Sequence, residues 1–527
     1  MSALLTGNLP LIADAPEGIR TLRGLILELA VRGKLVPQDA KDEPAEALLE
    51  RIALEKARVS PGRGGKRQQS TRSATTEDQP FVLPAGWVWT RLGEIALINP
   101  RNAADDSTVV SFVPMAMIGT RFEGTHEQEL RTWAEVKQGF THFAEDDVGV
   151  AKITPCFENS KACVFSGLSN GIGAGTTELH IVRPIASTLA PRYVLAYLKA
   201  PIFLHVGESR MTGTAGQKRL PKDFLEQNPF PLPPLAEQHR IVAKVDELMA
   251  LCDRLEAEQK DAEAVHARLV DALLAALTRS TDAADFAANW QRLAAHFDTL
   301  FTTEASINVL KLALIQLAYA GALTHLKAST WPAARLADVT LTIADIDHKM
   351  PRSVPQGIIF LSAKDLKDDG TLDFSHPKYI SQDDFDRLSR RICPRRGDII
   401  YSRIGARLGK ARLVEVDTKF LVSYSCCVIR PDTRIVNVHY LVRFLDSKLA
   451  LNQAHLGKQS IGVPDLGLGV IKQFLMPLPP LAEQHRIVAK VDELMALCDR
   501  LKADLAFARE NRARLADALV HTAFQAA

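Results

Sequence analysis

The basic side chains between Arg387 and Arg412 are the residues of this chain whose types and spacing most clearly predict chemistry. The segment carries eight arginines and one lysine against a single acidic residue, Asp398. Guanidinium and ammonium groups at this density bind phosphate, and arginine can also make paired hydrogen bonds to a guanine edge. We therefore predict a surface that binds a polyanion, with a solvated basic face as the alternative.

A strand that ends in a flexible loop is predicted to position these groups. Residues 396–410 read RGDIIYSRIGARLGK, so an apolar run leads into a loop with two glycines. Glycine lets a backbone approach phosphate closely while a neighbouring arginine reaches a base. The candidate nucleic-acid contacts in this half of the chain are Lys364, Ser402, Arg403, Arg407, Lys410, Ser423, Tyr424 and Lys458.

The first half of the chain has a corresponding stretch that is much less basic. Residues 147–161 contain two lysines and no arginine. We expect the contacts of this half to depend more on amide, hydroxyl and apolar groups than on charge. The candidates here are Lys152, Thr154, Lys161, Thr176 and Lys218.

Each stretch is followed, further along the chain, by one copy of a segment that is repeated without change. Residues 231–255 and 477–501 are the same 25 letters, PLPPLAEQHRIVAKVDELMALCDRL. Packing constrains only the buried stripe of a helix, so identity at charged positions such as Glu237 and Glu483 indicates that both copies meet the same partner. Recent duplication is the alternative explanation.

The repeat extends beyond this identical segment. The stretch that opens at Trp87 returns at Trp331, and residues 19–35 share a spaced pattern with residues 307–323. Between these anchors the letters diverge. The sequence therefore predicts a tandem of helix, variable domain and long helix, written twice in 527 residues.

Each copy of the identical segment predicts the start of a long helix. Adjacent prolines suit a first helical turn, where the missing N–H would have no partner. Apolar residues then alternate by four and three, as in a coiled-coil seam. The seam residues are Ile241, Val245, Leu248, Cys252 and Leu255 in the first copy, and Ile487, Val491, Leu494, Cys498 and Leu501 in the second. From Leu235 to about Thr278 the helix would be about 65 Å long, which favours a rod over a core helix.

Composition and cysteine usage limit the class of protein. A hydrophobic fraction of 46% and a charged fraction of 24% are ordinary for globular domains, and a net charge of +2 does not by itself indicate nucleic-acid binding. The sequence shows neither a secretory signal nor a run of about 20 apolar residues. Its seven cysteines form no CxxC pair. We expect reduced, buried thiols and a cytoplasmic protein.

Motifs of catalysis are not found. The stretch 405–410 lacks the spacing of a phosphate-binding loop, and Ala411 stands where a hydroxyl should bind magnesium. Residues 99–102 resemble an amino-methyltransferase motif but lack its second proline and its aromatic residue. We expect a non-catalytic chain with no metal and no cofactor of its own, and keep a stand-alone methyltransferase or nuclease as the alternative.

Together these segments resemble the specificity subunit of type I restriction-modification systems. The resemblance rests on the duplicated PLPPLAEQHRIV, on LELAVRGKLVPQ at residues 27–38, on the Trp-x-x-x-Arg-Leu opening of each domain, and on the loop at 397–410. In that family two target-recognition domains each read one half of a split, asymmetric DNA site. The first domain departs from the pattern because it lacks the Ser-Arg-x-Gly core.

The resemblance also implies partners. Family members bind double-stranded DNA and two methyltransferase subunits, and restriction (translocase) subunits join this complex. S-adenosylmethionine, ATP and Mg²⁺ are used by those partners, so no cofactor is expected on this chain. The duplicated helices of the family pair as an antiparallel coiled coil that sets the gap between the half-sites. A coiled-coil scaffold whose domains bind proteins is a further alternative.

The expected fold is α/β (α+β), with two similar target-recognition domains separated by long conserved helices and related by an internal pseudo-twofold repeat. The helices are expected to form an antiparallel coiled coil. The predicted regions are an N-terminal helical region at 1–58, a flexible basic linker at 59–82, the first recognition domain at 83–234, a central helical region at 235–328, the second recognition domain at 329–480 and a C-terminal helix at 481–527.

Overall fold

The computed structural model describes residues 11–59, 79–185, 187–214, 216–280, 283–323, 331–457 and 465–526. The chain divides into two compact units, one formed by residues 1–261 with 509–527 and the other by residues 262–508. Each unit contains a mixed domain of helices and sheets, so the predicted fold class is confirmed. Among the described residues, no helix is long and apolar enough to cross a membrane.

The first unit contains the first variable domain and the helices beside it. Its helices are α1 (Gly18–Val31), α2 (Ala45–Val59), α3 (Leu92–Ile95), α4 (Trp133–Val136), α5 (Pro191–Lys199), α6 (Pro201–Arg210) and α7 (Lys222–Gln227). Its strands are β1 (Val88–Arg91), β2 (Ala96–Ile98), β3 (Val109–Val113), β4 (Glu129–Thr132), β5 (Thr141–Ala144), β6 (Val148–Ala151), β7 (Ala162–Val164), β8 (Ile172–Gly175), β9 (Leu179–Pro184) and β10 (Pro229–Leu232). Helix α8 (Leu235–Thr278) follows and continues into the residues of the second unit.

The second unit contains the second variable domain. Its helices are α9 (Ala283–Ala295), α10 (Phe297–Leu300), α11 (Glu304–Tyr319), α12 (Gln382–Leu388), α13 (Val438–Leu445), α14 (Lys448–Leu456) and α15 (Leu468–Lys472), and α16 (Leu481–Ala526) starts here. Its strands are β11 (Ala333–Arg335), β12 (Thr340–Ala344), β13 (Ile358–Leu361), β14 (Lys378–Ile380), β15 (Ile399–Ser402), β16 (Ala411–Leu413), β17 (Phe420–Val422), β18 (Cys426–Pro431) and β19 (Leu475–Pro477).

The two variable domains have the same strand order. The sheet β2-β9-β6-β7 of the first domain corresponds to β12-β18-β15-β16 of the second, and β4-β3-β8 corresponds to β14-β13-β17. In both domains a parallel pairing joins equivalent strands, β3 with β8 and β13 with β17. Strand β5 extends the second sheet in the first domain alone, among the described residues. The repeat seen in the sequence is therefore a repeat of the fold, although most domain letters differ.

A short two-stranded stem closes each domain where the chain enters and leaves it. Strand β1 pairs antiparallel with β10, and Val88 lies opposite Leu232. Strand β11 pairs in the same way with β19, and Ala333 lies opposite Pro477. The two ends of each domain therefore lie side by side, next to the start of a long helix.

The identical segment holds the same contacts at both stems. The hydroxyl of Tyr193 donates to the carbonyl of Pro231, and that of Tyr440 donates to the carbonyl of Pro477, each at 2.9 Å. The repeated Tyr-x-x-x-Tyr/Phe-Leu pattern thus fixes a domain helix to its stem. Burial raises the pKa of Tyr193 well above its usual value, as expected for a phenol that stays protonated in a core.

Part of the sequence identity has a structural cause that we did not expect. Glu237 and Glu483 are each 1% exposed. The carboxylate of Glu237 accepts hydrogen bonds from Trp87 Nε1 (3.0 Å) and Gln38 Nε2 (3.1 Å), and burial raises its pKa. The interpretation of these glutamates as solvated partner-binding positions is therefore wrong, because they are core residues. His239 and His485, the second residue after each glutamate, are exposed.

The long helices have the predicted extent. Helix α8 has 44 residues from Leu235 to Thr278, which confirms the predicted bounds, and α16 has 46 residues. In the first unit Leu248, Cys252 and Leu255 of α8 share an apolar cluster with Ala516 and Leu519 near the end of α16.

The second unit has the converse arrangement. Val270, Leu274 and Leu277 near the end of α8 share a cluster with Leu494, Cys498, Leu501 and Leu505 of α16. The sequence order of the two helices is thus opposite, as in antiparallel pairing.

The first two seam positions of the second copy pack differently from the later ones. Ile487 and Val491 belong to the cluster of Tyr440, whereas Leu494, Cys498 and Leu501 belong to the cluster of the end of α8. In the first copy, one cluster contains Ile241 and Val245 together with Cys252 and Ala516.

Candidate nucleic-acid interface

Equivalent loops leave the end of β6 in the first domain and β15 in the second. The amide of Lys152 donates to the carbonyl of Glu178, and the amide of Arg403 donates to the carbonyl of Ser425, each at 2.9 Å. Both loops therefore lie against the residues that follow the parallel strand pair. The two domains present different side chains at the same position of one fold.

Three predicted residues of the second domain meet at this position. Ser423 Oγ lies 2.6 Å from Ser425 Oγ. The amide of Ala363, the residue before Lys364, donates to Ser425 Oγ at 3.4 Å. The Tyr424 ring stacks on His348 with the ring centres 5.0 Å apart. Ser423 is 3% exposed and organises the backbone, whereas Lys364 is exposed and Tyr424 is half-buried. Lys364 and Tyr424 can thus reach a ligand, and Ser423 supports them.

Arg403 is directed into the domain. Its Nη2 donates to Asp345 Oδ2 at 2.8 Å and its Nη1 to Asp465 Oδ1 at 2.9 Å. The side chain is 5% exposed, and that of Asp345 is 2% exposed. This geometry contradicts the expectation that Arg403 is free to reach a base. The structure makes it the anchor of the loop, since a buried carboxylate needs a paired cation.

The rest of the glycine loop is also fixed within the domain. Ser402 is buried; its Oγ donates to the carbonyl of Arg407 and accepts from the amide of Lys410 at 3.0 Å. Arg407 and Lys410 are half-exposed and lie 3.8 and 3.0 Å from Asp368. The hydrogen bond from Lys410 lowers the pKa of Asp368. Ser402 therefore closes the loop, while Arg407 and Lys410 meet an acid of their own domain.

Most of the basic run is neutralised by acidic residues from elsewhere in the domain. Seven of its nine cations form ion pairs, and these are Arg387–Asp384, Arg391–Asp345, Arg396–Asp417, Arg403–Asp345, Arg407–Asp368, Lys410–Asp368 and Arg412–Asp446. Arg390 and Arg395 are exposed, and no ion pair to them is found within the described residues. Those two residues, which the sequence did not distinguish from their neighbours, are the cations with charge available for phosphate.

In the first domain the loop is joined to a second exposed segment. The amide of Thr154 donates to the carbonyl of Lys218 at 3.0 Å, and the amide of Lys218 donates to Thr154 Oγ1 at 3.1 Å. The Thr176 hydroxyl accepts from the amide of Glu178 at 3.2 Å. Lys152 and Thr176 are half-buried, Thr154 is buried and Lys218 is exposed. The structure therefore gathers these four candidates, with Lys218 the best placed to reach a ligand.

Two lysines of the first domain tie neighbouring loops together. Lys161 Nζ donates to the carbonyl of Met115 at 2.9 Å. Lys199 Nζ donates to the carbonyls of Thr120 (3.0 Å) and Ser160 (2.8 Å), and burial lowers its pKa to about 8. The Lys161 ammonium group thus holds the loop that contains Met115. This contact assigns Lys161 a structural role in place of the predicted DNA contact.

The second domain fixes the equivalent loops with different residues. Arg412 is 1% exposed; its Nε donates to the carbonyl of Lys367 at 2.6 Å and its Nη1 to Asp446 Oδ1 at 3.1 Å. Lys367 follows a short 3-10 helix, as Thr120 does in the first domain. In both domains a buried cation therefore holds the loop that follows the short 3-10 helix.

A further ion pair is shared by both domains. Arg183 donates to Asp147 at 2.8 and 2.7 Å, and Arg430 donates to Asp398 at the same two distances. Burial raises the pKa of Asp147, and the hydrogen bonds from Arg183 act against this rise. Asp398, the single acid of the basic run, is therefore a structural residue at the base of the loop.

The remaining sequence predictions concern Lys458, metals and thiols. Lys458 lies outside the described residues. Within the described part of the chain, no group of three or more His, Cys, Asp or Glu side chains could hold a metal ion. All seven cysteines are free, and burial raises the pKa of Cys426 to about 12. Thiols in such surroundings stay protonated and are poor nucleophiles.

The family assignment follows from the match of both domains to one family model. The model of the type I restriction modification DNA specificity domain matches residues 84–264 and 355–506. The chain belongs to the specificity subunits of type I restriction-modification systems. Its two variable domains are therefore target-recognition domains.

Full-length relatives agree with this assignment. The chain is 40% identical to the specificity subunit of the type I restriction enzyme EcoAI from Escherichia coli, over 96% of this chain and 94% of that protein. It is 39% identical to the EcoEI specificity subunit of the same organism, with the same coverage. A chain from a solved type I restriction-modification system shares the fold, with a TM-score of 0.52 at 20% identity, covering 84% of this chain and 99% of that chain.

Proposed function

We propose that each target-recognition domain of this specificity subunit reads one half of a bipartite, asymmetric DNA site. The observation that carries the proposal is that two domains, whose common strands have the same order, carry equivalent loops with different side chains. A common fold gives both domains one way of approaching duplex DNA, and different loops give two sequences. A pseudo-symmetric protein with unlike domains therefore fits an asymmetric site with two parts.

The contacts are proposed to divide into base reading and phosphate binding. Lys364 and Tyr424 in the second domain and Lys218 in the first are exposed or half-exposed on ordered loops, so they are the proposed base-side contacts. Arg390 and Arg395 are the proposed phosphate contacts, because within the described residues they form no ion pair that would compete.

The paired helices are proposed to set the spacer between the half-sites and to bind two methyltransferase subunits. Identical residues that remain exposed, such as His239 and His485, support one kind of partner on both copies. We infer that restriction subunits join this complex. A complex that methylates and restricts DNA acts where the DNA is, so we propose that the protein is cytoplasmic.

Catalysis is proposed to reside in those partners. S-adenosylmethionine, ATP and Mg²⁺ would be bound by the methyltransferase and restriction subunits. The purified chain, supplied with S-adenosylmethionine, ATP and Mg²⁺, is expected to methylate, hydrolyse or cleave nothing. Turnover that follows this chain through purification would contradict the proposal.

Exchange of one domain tests the assignment. Residues 84–230 are replaced by the equivalent segment of another specificity subunit, and methylated adenines are mapped across the genome. One half of the methylated site should change while the other half and the spacer stay the same. The matched control replaces residues 332–476 and should change the opposite half. A change in both halves from either exchange would contradict independent reading.

A further inference from the structure

The surface around Leu341 at the start of the second domain is open, whereas the equivalent surface of the first domain is covered. In the sequence, 51 residues separate Leu35 from Trp87, but seven separate Leu323 from Trp331. The longer segment includes α2. The first domain therefore carries a covering helix for which the second has no room in its sequence.

Helix α2 packs firmly onto the first domain. Leu48 and Ile52 are fully buried, in the same cluster as Leu92 and Ile95 of α3. One turn beyond Ile52, Lys56 Nζ donates to the carbonyls that end α3, at 3.3 and 3.1 Å for Glu94 and Ala96, and to the carbonyl of Gly93. Desolvation at this contact lowers the pKa of Lys56. An apolar, apolar, lysine pattern at spacing four thus caps the short helix.

Residues of the first domain are more buried than the equivalent residues of the second. Trp87 is buried and Trp331 is half-buried, while Gly93 and Glu94 are half-buried and their equivalents Ala337 and Asp338 are exposed.

The apolar positions show the same difference. Leu97 packs against the cluster of the first domain, but the equivalent Leu341 is 57% exposed. Leu475, in the stem strand β19, is 53% exposed, whereas its equivalent Pro229 is half-buried. Leucines that are more exposed than their equivalents mark a surface that another chain can cover.

We propose that this surface, formed by Ala337, Asp338 and Leu341, binds one amphipathic helix of a methyltransferase partner. The helix should present two apolar residues and a lysine or arginine at spacing four, as α2 does. Asp338, exposed beside the carbonyls, favours that cation. A second copy of this chain is a poor occupant, since its own α2 is buried by its own first domain.

The proposal rests on the proposed function and makes the complex asymmetric. The first domain is already covered by α2, so the surface is available once per chain. Two methyltransferase subunits would have equal binding sites on the paired helices. One of them would also bind the surface of the second domain, and the other would not.

Photo-crosslinking in the assembled complex tests the inference. A benzophenone amino acid is placed at position 338 or, as the matched control, at the equivalent position 94, and each chain is purified with methyltransferase subunits. Position 94, whose carbonyl accepts from Lys56, should crosslink within the chain to residues 45–59. Position 338 should crosslink to one methyltransferase subunit, at a helix with the stated spacing. Crosslinking to a second copy of this chain or to its own residues 324–330, or absence of a crosslink in an assembled complex, would overturn it.

A second variant measures the contribution of the surface. Leu341→Asp should weaken methyltransferase binding about tenfold or more, because a leucine contact is replaced by a charge. Val82→Asp adds the same charge at a 91% exposed position and should leave binding unchanged. Equal affinities of the two variants would also overturn the inference. If no complex forms with the unaltered chain, the proposed function fails and this inference fails with it.

Discussion

Replacement of Arg403 should destabilise the second domain before it affects DNA reading. The guanidinium is bound between Asp345 and Asp465, and the Asp345 side chain is 2% exposed. Arg403→Met keeps most of the apolar stem but takes the buried cation from Asp345, whose carboxylate keeps the longer contacts to Arg391 (3.4 Å) and His348 (3.3 Å). Breaking a buried pair in this way costs about 3–5 kcal/mol. A surface arginine that reached a base would instead cost DNA affinity and little stability.

Hydrogen exchange followed by mass spectrometry provides the local measurement. A loss of about 3 kcal/mol should speed exchange of the β15 and β18 amides by on the order of 100-fold. The β6 and β9 amides of the same molecule serve as the internal reference. Lys152→Met, at the equivalent but half-buried position, is the matched control and should change stability by less than about 0.5 kcal/mol.

A double variant separates charge burial from lost packing. Arg403→Met combined with Asp345→Leu removes both charges, and most of the protection should return. Wild-type exchange rates in Arg403→Met, together with lost binding to target DNA, would refute the structural role and restore Arg403 as a DNA contact.

Three further outcomes are expected. Burial lowers the pKa of Lys199 from 10.5 to about 8, so between these pH values the unfolded chain binds more protons than the folded chain. The free energy of unfolding, measured in urea, should therefore rise with pH by up to about 3 kcal/mol across that window. Lys199→Met should lose this rise. Alanine at Arg390 and Arg395 should reduce the slope of log affinity against log salt by about 2 and leave the methylated sequence unchanged. Four residues inserted in α8 between Leu255 and Leu277 advance the helix by about 6 Å, so methylome sequencing should find a spacer longer by about two base pairs; an unchanged spacer would show that α8 does not set it.

The sequence predicted the long helices well because their signals are local. A proline start and a seam of spacing four and three predict a helix from Leu235 to about Thr278, and α8 has these bounds. The strand and glycine loop after Asp398 were also predictable, since an apolar run followed by glycines has few alternatives. Gly405 and Gly409 take φ of 95° and 93°, a region that other residues rarely adopt.

The side-chain roles within the loop were less predictable, because they depend on residues distant in sequence. Arg412 meets Asp446, which directly follows α13, and Arg403 meets Asp345, which directly follows β12. A charge count over one segment therefore overstates its free positive charge. Glu237 was misread for the same reason: its hydrogen-bond donor Trp87 lies 150 residues earlier. Such pairs follow from the sheet order and cannot be read from spacing.

The two-stranded stem has a consequence for how these domains change in size. Opposed residues of an antiparallel pair have Cα atoms about 5 Å apart, so both ends of a domain are held together whatever the domain contains. A domain that gains or loses residues between Val88 and Leu232 therefore leaves the start of α8 in its place. Because loop closure costs about 0.6 kcal/mol for each doubling of length, such growth is cheap. New recognition loops can therefore lengthen or shorten while the start of the long helix keeps its position.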